Sequence, residues 1–130
     1  MKPNKLTTIT EASELIKQIT KEELTKDLGK AALETLAIVL YQGPISRADI
    51  DYIRGVNSSF ILRNLMIRGL IERMNNPNDP RGYLYRPTFE LLSHLGITSV
   101  KELPEFDTVQ ENLTDFMRKN EEESHVSETN

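Results

Sequence analysis

The chain has 130 residues, of which 38% are hydrophobic and 28% charged, and it contains no cysteine. These proportions are typical of one globular domain with polar extensions, and they exclude a disulfide framework, a thiolate metal site and a thiol nucleophile. The longest apolar run, LAIVLY, is too short to span a membrane, and the N-terminus lacks the apolar stretch of a signal peptide. We therefore expect a cytoplasmic protein with no membrane partner.

The net charge of −4 is unevenly distributed along the chain. Residues 30–106 carry nine lysines and arginines against eight acidic residues, whereas residues 107–130 carry two against seven. The acidity therefore belongs to the C-terminal segment, and the central segment is close to neutral. A dedicated non-specific DNA-binding protein more often shows a basic excess there.

The N-terminal segment LTTITEASELIKQI, residues 6–19, predicts a short strand followed by a helix. That helix would place Leu15, Ile16 and Ile19 on one side. The order of strand, threonine and helix loosely matches YLYRPTFELLSHL later in the chain. We therefore hypothesise that residues 1–29 hold the remnant of a preceding winged helix, a strand plus a helix, and a linker.

The next segment, GKAALETLAIVLYQGP, is the densest apolar region of the chain. Helical spacing relates Leu33, Leu36 and Leu40, and further apolar residues fill the flanks of this repeat. A helix that is apolar almost all round is normally buried. We therefore predict a central helix that ends at Gly43 and Pro44.

The stretch from Ile45 to Ile71 predicts two short helices joined by a glycine turn, which is the layout of a helix-turn-helix. Ser46 is followed three residues later by Asp49, and this capping-box spacing predicts the start of the first helix. Gly55 would end that helix, because glycine adopts a left-handed backbone at little cost. A second helix would follow it.

Two short strands are predicted beyond the second helix, around the turn-forming loop NNPNDPRG. Thr88 then begins another helix, FELLSHL, which Gly96 ends. Three helices, two strands and a helix follow one another as in a winged helix, with the loop as its wing. The predicted fold class is therefore mainly α with a small β-hairpin (α+β), a winged helix-turn-helix over residues 30–106.

The C-terminal segment, residues 107–130, predicts a short amphipathic helix followed by an acidic disordered tail. The apolar stripe of this helix would contain Val109, Leu113, Phe116 and Met117. The residues after it are polar and charged, a composition typical of disorder.

Catalytic chemistry finds little support in the sequence. His94 lies near the end of a predicted apolar helix, where a structural role explains it. With two histidines and no cysteine, the chain offers no metal-ligand set and no nucleophile–base pair. We therefore predict no enzymatic activity, no cofactor and no small-molecule substrate.

The outward face of the second helix bears on whether the chain reads DNA. A rotation of about 100° per residue places Ile61, Leu62 and Leu65 on the core side. The opposite side then holds four residues, which are Phe60, Arg63, Asn64 and Ile67. A base-reading helix presents hydrogen-bonding side chains there, but two large apolar residues fill about half of this face. Packing within the chain, a protein partner and DNA all remain open as explanations.

Every basic residue from Arg47 to Arg86 is an arginine. Arginine suits fixed pairing with carboxylates as well as phosphate contact, whereas diffuse phosphate binding usually recruits lysine too. We expect most of these arginines to pair with nearby carboxylates. Arg63 on the exposed helix face and Arg81 at the wing tip are the candidates for contact with a partner.

Four long motifs follow one another over residues 30–106: AALETLAIVLY, PISRADIDYIRGVNS, RGLIE and LGITSVKELPEF. Together they resemble the second winged-helix domain of the segregation and condensation protein B (ScpB) family. The resemblance implies a non-enzymatic subunit of the prokaryotic SMC complex, which binds the kleisin ScpA, and through it SMC, in chromosome condensation and segregation. It also implies association with the nucleoid.

Family members usually contain two winged helices, of which the first mediates dimerisation. The resemblance therefore implies a homodimer only where a complete first domain is present. The expected partner-binding residues are Phe60, Arg63, Asn64, Ile67 and Arg81, with weak or indirect DNA contact. The alternative hypothesis is a winged-helix DNA-binding transcriptional regulator, which would bind duplex DNA with a steep salt dependence.

Overall fold

The structure is a computed structural model that describes residues 5–20 and 27–129. Within these residues the helices and strands are α1 (Lys5–Ile19), α2 (Lys30–Gln42), β1 (Ile45–Ser46), α3 (Arg47–Arg54), α4 (Ser59–Ile67), β2 (Ile71–Asn76), β3 (Asp79–Pro87), α5 (Phe89–His94) and α6 (Phe106–Thr129). A short 3-10 helix, Val100–Glu102, lies between α5 and α6.

Helix α2 lies at the centre of the hydrophobic core, as its sequence predicts. Leu33 and every residue from Thr35 to Tyr41 are buried. Helices α1, α3, α4 and α6 and strand β3 all contact it, so its apolar faces have packing partners. The helix ends at Gly43, whose backbone N–H donates to Val39 O at 2.8 Å.

The helix-turn-helix consists of α3 and α4, at the predicted positions. At the start of α3, Ser46 Oγ accepts a hydrogen bond from Asp49 N at 3.2 Å, and Gly55 ends the helix with a φ of 75°. Asp51 then fixes the turn, since its Oδ1 accepts from Ser58 N at 2.8 Å. This bond ties the start of α4 to α3.

The predicted hairpin is present, and a third strand extends it. Strand β2 pairs antiparallel with β3, from Ile71 opposite Pro87 to Asn75 opposite Tyr83 before the register shifts near the wing. The two-residue β1 pairs with the other edge of β3, which gives the order β1–β3–β2. Strand β1 was not predicted, because two residues are too few to show an alternating pattern. The fold is nevertheless the predicted α+β winged helix.

Helix α1 is continuous, so the prediction of a short strand at its start is wrong. Its buried face contains Ile9, Ala12 and Ile16 at helical spacing. Burial of this face outweighs the strand preference of the threonines, because β-propensity depends strongly on context. The hypothesis of a winged-helix remnant stays a prediction, now without its strand, and residues 1–4 and 21–26 of that segment lie outside the described residues.

Helix α6 continues to Thr129, so the prediction of a disordered tail is wrong for this segment. Two residues of its predicted apolar stripe, Val109 and Leu113, are buried, while Phe116 and Met117 are half-buried. No glycine or proline follows Pro104 in the sequence, and glutamates in the tail favour a helix. The segment therefore lacks the residues that would end the helix.

Tyr41, near the end of α2, contacts the start of α6 and the residues just before it. Its hydroxyl donates to Pro104 O at 2.8 Å, and its ring stacks on that of Phe106 with 6.1 Å between centroids. Burial, together with the nearby Glu105 carboxylate, raises the pKa of Tyr41 to about 12. The fold therefore favours the neutral phenol.

We expect Tyr41 to make the chain less stable as the pH rises from about 10 to about 12. The phenol of the unfolded chain ionises near pH 10, whereas that of the folded chain stays neutral until about pH 12. The free energy of unfolding, measured by urea titration across this interval, should therefore fall more steeply for the wild-type chain than for Tyr41→Phe. Parallel pH profiles for the two chains would contradict this assignment.

Candidate partner-binding surface

Helix α4 has a buried side and an exposed side. On the core side, Leu62 and Leu65 are buried, as predicted. The four predicted outward residues, Phe60, Arg63, Asn64 and Ile67, are all exposed. The side chains of Phe60 and Ile67 are the most telling, since these residues are 76% and 74% exposed. Packing by the described helices therefore does not explain the two apolar residues.

Phe60 and Ile67 lie on one line along the exposed side of α4. They are two helical turns apart, so one side chain lies above the other. We call these two residues the apolar strip. Ser59 and Met66 form a second line about 100° further round the helix, and Arg63 lies between the two lines.

Asn64 lies beyond the apolar strip, on the side away from Ser59 and Met66. It lines a small cavity of about 120 Å³ together with Leu28, Ala32 and Arg68. This cavity faces the start of α2, and not the wing. Asn64 therefore borders the apolar strip on one side, and Arg63 borders it on the other.

An arginine-lined cleft opens on the wing side of α4. One part, of about 580 Å³, is lined by Arg47, Arg73 and Arg81 with other residues of the wing. The adjoining part, of about 370 Å³, is lined by Arg47, Arg63 and Arg73. Because Arg47, Arg73 and Tyr85 line both parts, they form one cleft. We call it the arginine cleft, after Arg47, Arg63, Arg73 and Arg81.

The four arginines of the cleft differ in their partners. Arg47 Nε lies 3.6 Å from Asp51 Oδ2, which is an ion pair within α3. The guanidinium of Arg73 lies over the ring of Tyr83, 4.2 Å from its centroid. In the part of the chain that the structure describes, no carboxylate lies within 4.0 Å of the other three guanidiniums. The predicted pairing with a carboxylate is therefore confirmed for Arg47 and wrong for Arg73, while Arg63 and Arg81 are the two that the sequence analysis set apart as candidates for contact with a partner.

Outside the cleft, Arg86 follows the prediction, since its Nε lies 2.9 Å from Glu72 Oε1. Glu72 and Arg86 are cross-strand partners, as are their neighbours Arg73 and Tyr85. Side chains alternate between the faces of a strand, so the two pairs lie on opposite faces of the hairpin. Arg86 is therefore on the other side of the sheet from the arginine cleft.

The wing that carries Arg81 is braced by two short side-chain contacts. Asn76 Oδ1 accepts from Asn78 N at 2.9 Å, and Asp79 Oδ1 accepts from Arg81 N at 3.0 Å. Arg81 lines the wing part of the cleft, whereas Arg63 lines the part beside α4. Arg81 therefore lines the part of the cleft away from α4, and its place in one partner-binding surface with Phe60 and Ile67 stays a prediction.

Two residues of the arginine cleft and one exposed aromatic residue outside both surfaces were not predicted. Arg47 and Arg73 were among the arginines expected to be paired, and only the fold brings them together in the cleft. Phe89, in the first turn of α5, is 76% exposed, as Phe60 is. Thr88 caps α5, since its Oγ1 accepts from Leu91 N at 3.1 Å. Phe89 comes directly after this cap, and that position could have indicated that its side chain is exposed.

The described residues offer neither a metal centre nor a membrane-spanning helix. Among the side chains of residues 9–20 and 27–118, no three of His, Cys, Asp or Glu come together as metal ligands. No helix in the described part of the chain has the length and apolar character needed to cross a membrane. The features that stand out are therefore two surfaces, the apolar strip and the arginine cleft.

The family of the chain follows from comparison with known proteins. The model of the family described as "Segregation and condensation complex subunit ScpB" matches residues 3–106. The chain belongs to the ScpB family. The match includes α1 as well as the winged helix, and the family is named for a complex subunit and not for an enzyme.

Curated ScpB relatives match most of this chain. Segregation and condensation protein B of Clostridium tetani is 41% identical over 111 residues, which are 85% of this chain and 59% of the relative. The protein of the same name from Enterococcus faecalis is 35% identical over 131 residues, 95% of this chain and 65% of the relative. The chain thus spans about three fifths of the length of the curated relatives it matches.

Solved structures support both the family and the fold. ScpB from Mycobacterium tuberculosis is 39% identical, with a TM-score of 0.52 over 59% of this chain and 51% of that chain. Apo MarR from E. coli has a TM-score of 0.50 at 19% identity over 94% of this chain and 90% of its own. The S. aureus MepR–DNA complex has a TM-score of 0.50 at 20% identity, over 92% and 88%. At these identities MarR and MepR show the fold alone.

We expect Phe60→Ala and Ile67→Ala to change the free energy of unfolding by less than about 0.5 kcal/mol, because both side chains are exposed. On the same helix, Leu62→Ala and Leu65→Ala should cost about 2–5 kcal/mol, since each leaves a cavity in the core. Urea unfolding followed by circular dichroism measures all four variants. A cost for Phe60→Ala equal to that of Leu62→Ala would mean that the apolar strip is packed inside the protein.

Proposed function

We propose that the chain is a non-enzymatic accessory subunit of a prokaryotic SMC–kleisin complex, in which it binds the kleisin ScpA. The observation that carries this proposal is the apolar strip, because Phe60 and Ile67 are exposed where a DNA-reading helix presents polar side chains. Membership of the ScpB family supports the assignment of the chain to a segregation and condensation complex.

The energetics of the apolar strip favour a protein partner. Each of Phe60 and Ile67 forgoes roughly 1.5–3 kcal/mol of burial free energy while it stays in water. A partner helix with its own apolar face would recover this free energy by covering both residues, and such buried anchors dominate the affinity of many interfaces. An apolar segment of ScpA is the partner that this strip fits.

Polar residues on both sides of the apolar strip suit the rim of an interface. Arg63 has no carboxylate within 4.0 Å among the described residues, so its guanidinium is available to an acidic group on the partner. Asn64 on the other side can donate and accept hydrogen bonds. Arg81 would join the contact only where the bound segment continues across the cleft to the wing.

The same face argues against a sequence-specific transcriptional regulator. Such a regulator reads base edges through hydrogen-bonding side chains of the second helix. Phe60 and Ile67 supply no hydrogen bonds at their positions. Within the proposal the chain is cytoplasmic and associated with the nucleoid, reaches SMC through ScpA, and needs no cofactor or small-molecule substrate. It forms a homodimer only together with a complete first winged helix.

Titration calorimetry of the chain against ScpA from the same organism tests this proposal. Phe60→Ala and Ile67→Ala should each weaken binding about tenfold or more, because each removes a buried apolar anchor. The matched control is Phe89→Ala, which removes the same side chain from a position that is equally exposed, at 76%, but outside the strip. It should change the dissociation constant less than about threefold.

Two results would count against the proposal. Failure of the folded wild-type chain to form any complex with ScpA would refute it. An equal loss of affinity in Phe60→Ala and Phe89→Ala would show that the strip is not the contact surface. Circular dichroism of every variant separates a loss of binding from a loss of fold.

A further inference from the structure

The arginine cleft concentrates positive charge on one face of an acidic protein. The whole chain has a net charge of −4, yet residues 45–87, which form the helix-turn-helix and the wing, contain seven arginines and four acidic residues. Four of these arginines line the cleft. Asp79 is the one carboxylate among the described lining residues, and it accepts from Arg81 N within the wing. The cleft therefore has an unbalanced positive charge.

Contacts within the protein position two of the arginines in advance. Arg73 is stacked on Tyr83 at 4.2 Å, an arrangement that leaves the edge of the guanidinium available for hydrogen bonds. Arg47 donates from Nη1 to Ser59 Oγ at 3.1 Å and lies 3.6 Å from Asp51. Side chains that are already ordered lose less conformational entropy when they bind an anion.

The shape of the cleft favours an extended polyanion over a small molecule. Its arginines are exposed, and its two parts run from the wing to the side of α4. A small-molecule site instead encloses most of its ligand among apolar side chains. Phosphates recur at regular intervals along DNA, so one strand can contact several of these arginines together.

The position of the apolar strip argues against an acidic peptide in the cleft. A peptide normally binds through apolar anchors as well as charges. The large apolar residues Phe60 and Ile67 lie about 100° round α4 from the line of Ser59 and Met66 that borders the cleft. A ligand in the cleft therefore meets the four arginines without contacting Phe60 or Ile67, and the apolar groups beside them are Ala48, Met66 and the tyrosine rings.

We propose that the arginine cleft binds the phosphate backbone of duplex DNA without preference for sequence. The guanidinium N–H groups of the four arginines donate to phosphate oxygens, and no base edge is read. Phe60 and Ile67, which carry the proposed binding of ScpA, take no part in this contact, and Arg63 is the residue that borders both surfaces. Through this contact the chain would bind DNA directly, without a helix that reads base edges.

Fluorescence anisotropy of a labelled duplex of about 30 base pairs, titrated with the complete 130-residue chain, tests the proposal. At about 50 mM salt, two duplexes of unrelated sequence should bind with equal affinity. The logarithm of the association constant should fall with the logarithm of the salt concentration with a slope of about −3, as expected for three to four phosphate contacts.

Charge-neutralising variants locate the contact. Arg73→Gln combined with Arg81→Gln should weaken binding about tenfold or more and make the salt slope shallower by about 2. Arg86→Gln is the control for position, since it removes one arginine charge from the opposite face of the hairpin, where Arg86 pairs with Glu72 at 2.9 Å. It should leave the slope unchanged and the affinity within about twofold. Phe60→Ala should bind DNA as the wild-type chain does.

Three results would overturn the proposal. The first is no binding by the folded chain at about 50 mM salt. The second is an equal loss in Arg86→Gln and in the double cleft variant. The third is displacement of the duplex by a polyglutamate peptide at the same concentration of charge as competing duplex, which would assign the cleft to an acidic protein. These mixtures contain no ScpA, so a failure here leaves the proposed binding of ScpA intact, and the reverse also holds.

Discussion

Helix α2 excludes water from eight of its thirteen residues, and this requirement dictates where its neighbours lie. Leu36, Val39 and Leu40 are at most 1% exposed, and burial of such a side chain contributes about 1.5–3 kcal/mol. Helices α1 and α6 cover α2 together with α3, α4 and β3. Because α4 directs Leu62 and Leu65 into this core, the opposite side of the helix, with Phe60, Arg63, Asn64 and Ile67, faces outward. The exposed surfaces thus follow from the buried one.

Local signals in the sequence were sufficient wherever an element is stabilised by its own residues. The serine before α3 and the glycine after it predicted both ends of that helix, and the structure contains the corresponding contacts at Ser46 and Gly55. Where the local signals failed, contacts with residues distant in the sequence determined the structure. Threonines in α1 prefer a strand in isolation, yet Ile9 and Ile16 can be buried together only on a helix. Strand β1 exists because β3 offers it an edge, which no local pattern reveals.

The two surfaces were predictable to different degrees for the same reason. Helical periodicity alone placed Phe60 and Ile67 on the outside of α4, because both belong to one element. The arginine cleft is assembled from α3, α4 and the hairpin, so it depends on strand register and on the turn that Asp51 fixes. Arg81 was grouped with Phe60 by exposure alone, and only the fold places Arg81 in the lining of the cleft.

The line of Phe60 and Ile67 and the line of Ser59 and Met66 are about a quarter of a turn apart on the same short helix. The two lines therefore face in nearly perpendicular directions. With a protein segment on one line and a DNA strand beside the other, the two ligands would contact α4 from nearly perpendicular directions, separated by about 10 Å, the diameter of a helix. Both ligands would then act on the same nine-residue helix, which Leu62 and Leu65 anchor in the core.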